Sequence, residues 1–299
     1  MERKLSAVQS CVRNNYRIVA EKNLFKYRNI YYSMKFFHAT GYSRITGTKG
    51  AHSIHYCKNM MDVKVPYDYY KYFLDLSTKT AERFLDEENY ERIILSGEYN
   101  QIAEAHRDNI KKLYKLWKEN YPCNILYTGP DVFFLKKVKF SDKFHDFSMF
   151  QYVQGVESNP RFGMNDFFDS DIRYFPSTMD ESLWHLALSM EERWPSYDTL
   201  LGEWEFEGII WNTMLWAQNK DVSHFLHPEY AFQGADPNFD YSVQYNKIPL
   251  EQVYLIHCHG SRLWNLYPKI EGLYKLGFFP EDLWLSLEET VKKDQETRS

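Results

Sequence analysis

The chain has 299 residues, 44% of them hydrophobic, and a formal net charge of −5. That length and apolar content suffice for one large core or two small ones. No stretch approaches the roughly 18 apolar residues of a membrane helix, and no apolar run follows Glu2, Arg3 and Lys4, so neither a signal peptide nor a membrane anchor is expected.

Residues 1–33 form a polar, helix-prone extension in which Arg3, Lys4, Arg13, Arg17, Lys22, Lys26 and Arg28 face only Glu2 and Glu21. A solvated helical arm is the plainer reading; a contact with nucleic acid, an acidic membrane surface or a diphosphate is the alternative. No nucleic-acid motif accompanies the charges. The four cysteines, Cys11, Cys57, Cys123 and Cys258, lack metal-type or disulfide-type spacing, which suits a reducing compartment and points to the cytoplasm.

A first core strand begins near Met34 and is expected to end in a loop containing Gly41. Residues 67–88 carry apolar side chains at helical spacing, and Glu91 to Gly97 reads as a second strand, giving a βαβ rhythm. The next helix runs from Ile102 to Tyr121 with Ile110, Leu113, Leu116 and Trp117 on one face, and Pro122 ends it. The strand that follows runs into Thr128-Gly129-Pro130-Asp131, then the apolar run Val132 to Leu135. Asp131 thus stands just past the C-terminal end of a buried strand, the edge at which open α/β sheets place ligands. Further on come a strand within 167–176, helices near 180–192 and 203–218, and a strand from Val253 to Gly260. No linker or repeat separates the halves. One domain with two lobes, 34–145 and 146–280, is expected, with 281–299 as a C-terminal helix or tail.

The sharpest chemical pairing is Asp131 with His257 and His259. Residues i and i+2 of a strand share a face, so the two imidazoles can point together, while Gly260 lets backbone approach a ligand closely. Gly-Pro-Asp is also ordinary turn chemistry, so it is the joint placement that points to a site. One carboxylate with one or two imidazoles suits Mn²⁺ or Mg²⁺ when phosphate oxygens and water complete the shell. With 18% of the chain aromatic, rings beside polar residues offer sugar-stacking platforms as well as core.

The segment Asn124-Ile-Leu-Tyr-Thr-Gly-Pro-Asp131-Val-Phe-Phe-Leu-Lys resembles the strand of GT-A-type glycosyltransferases that ends in Asp-x-Asp, with Gly129 where the first Asp belongs. Three later segments resemble the glycogenin-like branch of that superfamily, in the expected order. Phe168-Asp-Ser-Asp-Ile-Arg-Tyr-Phe is similar to its Phe-Asn-x-Gly-Val strand, and Glu207-Gly-Ile-Ile-Trp-Asn212 to its Asp-Gln-x-x-x-Asn helix start. His257-Cys-His-Gly260 is similar to its His-x-x-Gly, and Arg262, Leu263 and Trp264 stand in the region of its Lys-Pro-Trp.

The resemblance implies a GT-A-like, Rossmann-like α/β fold, with a mixed central sheet flanked by helices. It also implies a metal-dependent enzyme that transfers a sugar from a nucleotide-diphosphate sugar to a hydroxyl of a glycan, protein or small molecule. Thr40, Gly41 and Tyr42 would grip the donor nucleotide, and His106, Asn109 and Lys112 would lie beside the donor sugar. Gly260 and Arg262 would stand near the diphosphate. Asp131 and His257, with His259, would hold Mn²⁺ or Mg²⁺. A carboxylate base is needed if configuration inverts, a leaving group that takes the proton if it is retained; Asp169 and Glu207 lead, followed by Asp171 and Glu205. The rivals are a noncatalytic carbohydrate- or partner-binding protein on the same fold, and a sugar transferase acting on nucleic acid, against which the acidic balance speaks. A monomer or small homo-oligomer is expected.

Overall fold

The computed structural model describes residues 34–45, 68–99, 102–150, 172–193, 203–218, 232–233, 250–258 and 263–298. Its first half is an alternation of strand and helix: β1 (Lys35–Ile45), α1 (Asp68–Phe84), β2 (Tyr90–Tyr99), α2 (Ile102–Asn120) and β3 (Cys123–Thr128). β1 runs parallel to both β2 and β3, and β3 is buried at every position, as a strand covered on both faces must be. Two short strands follow, β4 (Val132–Phe134) and β5 (Ser148–Met149), then β6 (Ile172–Phe175). β6 lies antiparallel to β3 and β5 antiparallel to β6, which completes a mixed five-stranded sheet of order β2-β1-β3-β6-β5.

The pleat divides the sheet's side chains between two cores. Phe37, Ala39, Ile125 and Tyr127 face α2 and two further helices, α3 (Glu181–Arg193) and α4 (Glu203–Ala217), in one apolar cluster with Ile110, Trp117, Trp184 and Trp211. Asp180 caps α3, its carboxylate accepting the Ser182 amide at 2.8 Å. Phe36, Leu126, Ile172 and Tyr174 face the other way, against Ala81 and Leu85 at the end of α1.

That second face also carries a small three-stranded sheet, order β4-β8-β7, made with β7 (Phe232–Gln233) and β8 (Leu255–His257). β4 alternates across it: Val132 and Phe134 join the main-sheet core, whereas Phe133 turns to a third cluster. α5 (Leu263–Lys275) and α6 (Glu281–Arg298) close that cluster through Ile270, Leu273, Trp284 and Leu287. The segment read as a C-terminal helix or tail is therefore a helix that contributes core residues. Among the described residues, no helix is long and apolar enough to cross a membrane.

One expectation is corrected here. Thr40, Gly41 and Tyr42 do not form a loop; they lie inside β1, paired with Ile94, Leu95 and Ser96 of β2. The strand continues because β2 matches it from Phe36↔Tyr90 to Ile45↔Tyr99. Glycine serves close packing there: a Cβ on Gly41 would lie 2.5 Å from the Tyr127 hydroxyl and 3.0 Å from the Asn109 Nδ2.

Candidate functional site

β3 ends at the edge to which the parallel strands point, and the chain turns through Gly129, Pro130 and Asp131 into β4, with the Val132 amide donating to the Gly129 carbonyl at 3.3 Å. The antiparallel pairing of β4 with β8 sets Val132 opposite His257. The Cys258 amide then donates to the Asp131 carbonyl at 3.0 Å, and the His257 Nε2 comes to 3.4 Å from the Asp131 Oδ2. Both side chains are buried.

Ligands about 2.1 Å from an octahedral cation stand about 3 Å apart in adjacent positions. The Asp131–His257 separation fits that with little movement, and a hard carboxylate with an imidazole suits Mn²⁺ or Mg²⁺. Among the described residues no third His, Cys, Asp or Glu joins them; the remaining positions of a cation there would fall to substrate oxygens and water. His259, Gly260 and Arg262 lie outside the described residues.

Lys269 was not singled out in the sequence. It is buried on α5 and its Nζ donates to the Cys258 carbonyl at 2.5 Å, so an ammonium is anchored one residue from His257. A lysine in the middle of the helical run Leu263 to Lys275 matches no motif; only a charge on the apolar face of a helix could have flagged it. Burial pushes the Cys258 thiol up to about 12, with Lys269 opposing and Asp131 adding to the rise, so this cysteine stays neutral.

A second polar group lies on the α2 and α4 side of the sheet. The Glu207 carboxylate accepts Arg173 Nη2 at 2.8 Å and Trp211 Nε1 at 3.0 Å, and His106 Nδ1 stands 2.5 Å from its other oxygen. The Arg173 guanidinium lies between two rings, 4.3 Å from the Tyr127 centroid and 4.5 Å from that of Trp211. Burial alone would raise the Glu207 pKa, but His106 and Arg173 outweigh it and hold the carboxyl well below its usual range. Glu207 is therefore engaged as a buried counter-ion to Arg173 and His106.

Asn109 adjoins this group through Gly41. It is buried, and its Oδ1 is enclosed without a hydrogen-bond partner. Gly41, His106, Asn109 and Glu207, all singled out in the sequence, thus gather around Tyr127 and Arg173, which were not. Arg173 does leave a trace: a cation within the apolar run Ile172-Arg-Tyr-Phe must be paired if the strand is buried.

Other expectations fall elsewhere. Thr40 points to the opposite face, where its hydroxyl meets that of Thr128 at 3.3 Å, and Thr128 in turn meets His38 Nε2 at 2.8 Å. His38 is fully buried; burial first and the Arg92 charge second keep its pKa well below the usual value, so it is neutral. Lys112 pairs with Asp108 at 2.7 Å and donates to the Ser96 carbonyl at 2.7 Å, which ties it to the edge of β2. Tyr42 is half-buried near the end of β1. Glu205 lies in the first turn of α4. Asp169 and Asp171 lie outside the described residues.

No family model matches this chain, and none of the curated proteins gives a significant match. The fold and site together define a mixed α/β protein with a buried carboxylate–imidazole pair at the end of its central strand.

Proposed function

We propose that this protein is a metal-dependent glycosyltransferase of the GT-A type, moving a sugar from a nucleotide-diphosphate donor to the hydroxyl of a glycan, protein or small molecule. The observation that carries this reading is the approach of His257 Nε2 to Asp131 Oδ2 at 3.4 Å, at the sheet edge where α/β proteins bind ligands. Asp131 and His257 would hold Mn²⁺ or Mg²⁺, which neutralises charge on a departing diphosphate. Lys269, anchored through the Cys258 carbonyl, adds fixed positive charge beside them. Gly41, Asn109 and the Arg173–Glu207–His106 group supply a rigid polar wall on the α2 side, suited to orienting a sugar. With Glu207 engaged, Asp169, Asp171 and Glu205 are the carboxylates left for an inverting base.

The test is thermal stabilisation by a panel of nucleoside diphosphates and nucleotide sugars, each with and without Mn²⁺. A metal-dependent shift with one nucleotide, lost in Asp131→Ala and His257→Ala, is the expected result. A flat response across the panel would abandon the donor site.

The engagement of Glu207 favours one rival, a noncatalytic carbohydrate-binding protein on the same scaffold. Sugar binding without hydrolysis or transfer of any donor in the panel would select it.

A further inference from the structure

We propose a second ligand site, for a neutral polyhydroxyl compound of one or two sugar units, in a cleft at the edge of the main sheet opposite Asp131. It stands independently of the transferase reading.

The cleft has a volume of about 460 Å³, within the usual range for small-molecule sites. It opens where β1 and β3 begin and antiparallel β6 ends, and Phe36, Asn124 and Tyr174 line it. Tyr174 is 1% exposed and Asn124 7% exposed. Neither is a spent polar group. Asn124 Oδ1 accepts the Ser177 amide at 2.8 Å, while its Nδ2 makes no hydrogen bond to the described residues. The Tyr174 hydroxyl makes none either, although its ring packs against Phe36, Phe140 and Phe144. Neither atom is enclosed: both reach the open space of the cleft, where a ligand group can replace water as their partner.

The rim states which ligand. Glu87, Glu88 and Asp142 line the cleft with a single ammonium, Lys139, which stands 3.4 Å from Asp142 and 4.0 Å from Glu88. An anion would meet more negative charge than positive. Lys139 stands between Glu88 and Asp142 and offsets part of their charge, so the rim stays net negative. Glu87 is fixed in place, accepting the amides of Phe140 and Ser141 and the Ser141 hydroxyl. Burial, and then the Glu87 and Asp142 charges, push the Tyr174 hydroxyl up, so it remains a donor at every working pH. Two donors, carboxylates and the Phe36 and Phe144 rings in one cleft suit a ligand whose groups both donate and accept, and neighbouring hydroxyls do this.

The test uses the full-length chain without metal or nucleotide, and saturation-transfer NMR with glucose, galactose, N-acetylglucosamine, maltose and cellobiose. At least one of these should show binding. Tyr174→Phe, which removes a hydroxyl without a hydrogen bond to the described residues, should weaken it roughly 5- to 10-fold with an unchanged melting midpoint. Asn124→Asp keeps the acceptor for Ser177, removes the amide donor and should weaken binding likewise. Asp131→Ala should leave it intact, which separates this site from the proposed donor site. Absence of transfer from all five sugars, full binding by both cleft variants, or loss of binding in Asp131→Ala overturns the proposal.

Discussion

Arg173 and Glu207 form a buried ion pair at 2.8 Å, with the guanidinium enclosed between Tyr127 and Trp211. It joins β6 to α4 across the interior and draws in His106 from α2. Removing one partner leaves the other charge buried and unanswered, which costs about 3–5 kcal/mol. Arg173→Ala and Glu207→Ala should each lose about that much in urea denaturation. The double variant should lose distinctly less than the sum, because the orphaned charge is gone. Additive losses would mean that the pair holds nothing together.

The same carboxylate gives stability a pH dependence of known sign. Its folded pKa lies below the unfolded value, so its contribution is complete above about pH 4.3 and is lost as pH falls through the folded pKa. Comparing wild type with Glu207→Gln from pH 7 to pH 3, the advantage of the wild type should be constant down to about pH 5 and narrow below pH 4. A gap that widens on acidification would reverse the assignment.

For the carboxylate–imidazole pair, the expectation concerns metal. Asp131→Asn retains the shape of the turn and should still weaken Mn²⁺ binding at least 10-fold, read by the loss of free-ion signal in electron paramagnetic resonance. His257→Gln should do the same, and the melting midpoint without metal should move by only a few degrees in either case. Undiminished Mn²⁺ uptake in both variants would leave the pair as a structural contact between β4 and β8.

Much of the scaffold was legible because its signals are local. α2 showed its buried face in Ile110, Leu113 and Trp117, and β3 declared itself as an apolar run ended by a Gly-Pro turn. The approach of Asp131 to His257 was legible for the same reason: each residue ends an apolar strand. The small sheet that unites them was not. β4 and β8 are three residues each, and strands that short carry no period from which to read a partner. Gly41 misled in another way. Glycine is read as a turn signal, yet here it stays in the strand to make room for Tyr127 and Asn109, residues distant in the chain. Lys269 and Arg173 matter through what they touch, and a charge within an apolar segment announces a partner without naming it.

Gly41 also permits a test of how tightly the polar group below β1 is built. A methyl there would lie 2.5 Å from the Tyr127 hydroxyl, 3.0 Å from Asn109 Nδ2 and 3.5 Å from the Tyr127 Cζ. Two of these three contacts belong to Tyr127, and the shortest is its hydroxyl, so Gly41→Ala must displace that ring. Displacement also disturbs Arg173, whose guanidinium rests 4.3 Å from the ring centroid. Overpacking of this kind costs about 1–3 kcal/mol. Adding Tyr127→Phe removes the closest atom and keeps the ring over Arg173. In thermal denaturation the double variant should therefore recover part of the loss seen in Gly41→Ala, although Tyr127→Phe alone is neutral or mildly destabilising. If the two substitutions simply add, Gly41 tolerates a side chain, and its closeness to Tyr127 does not constrain the wall.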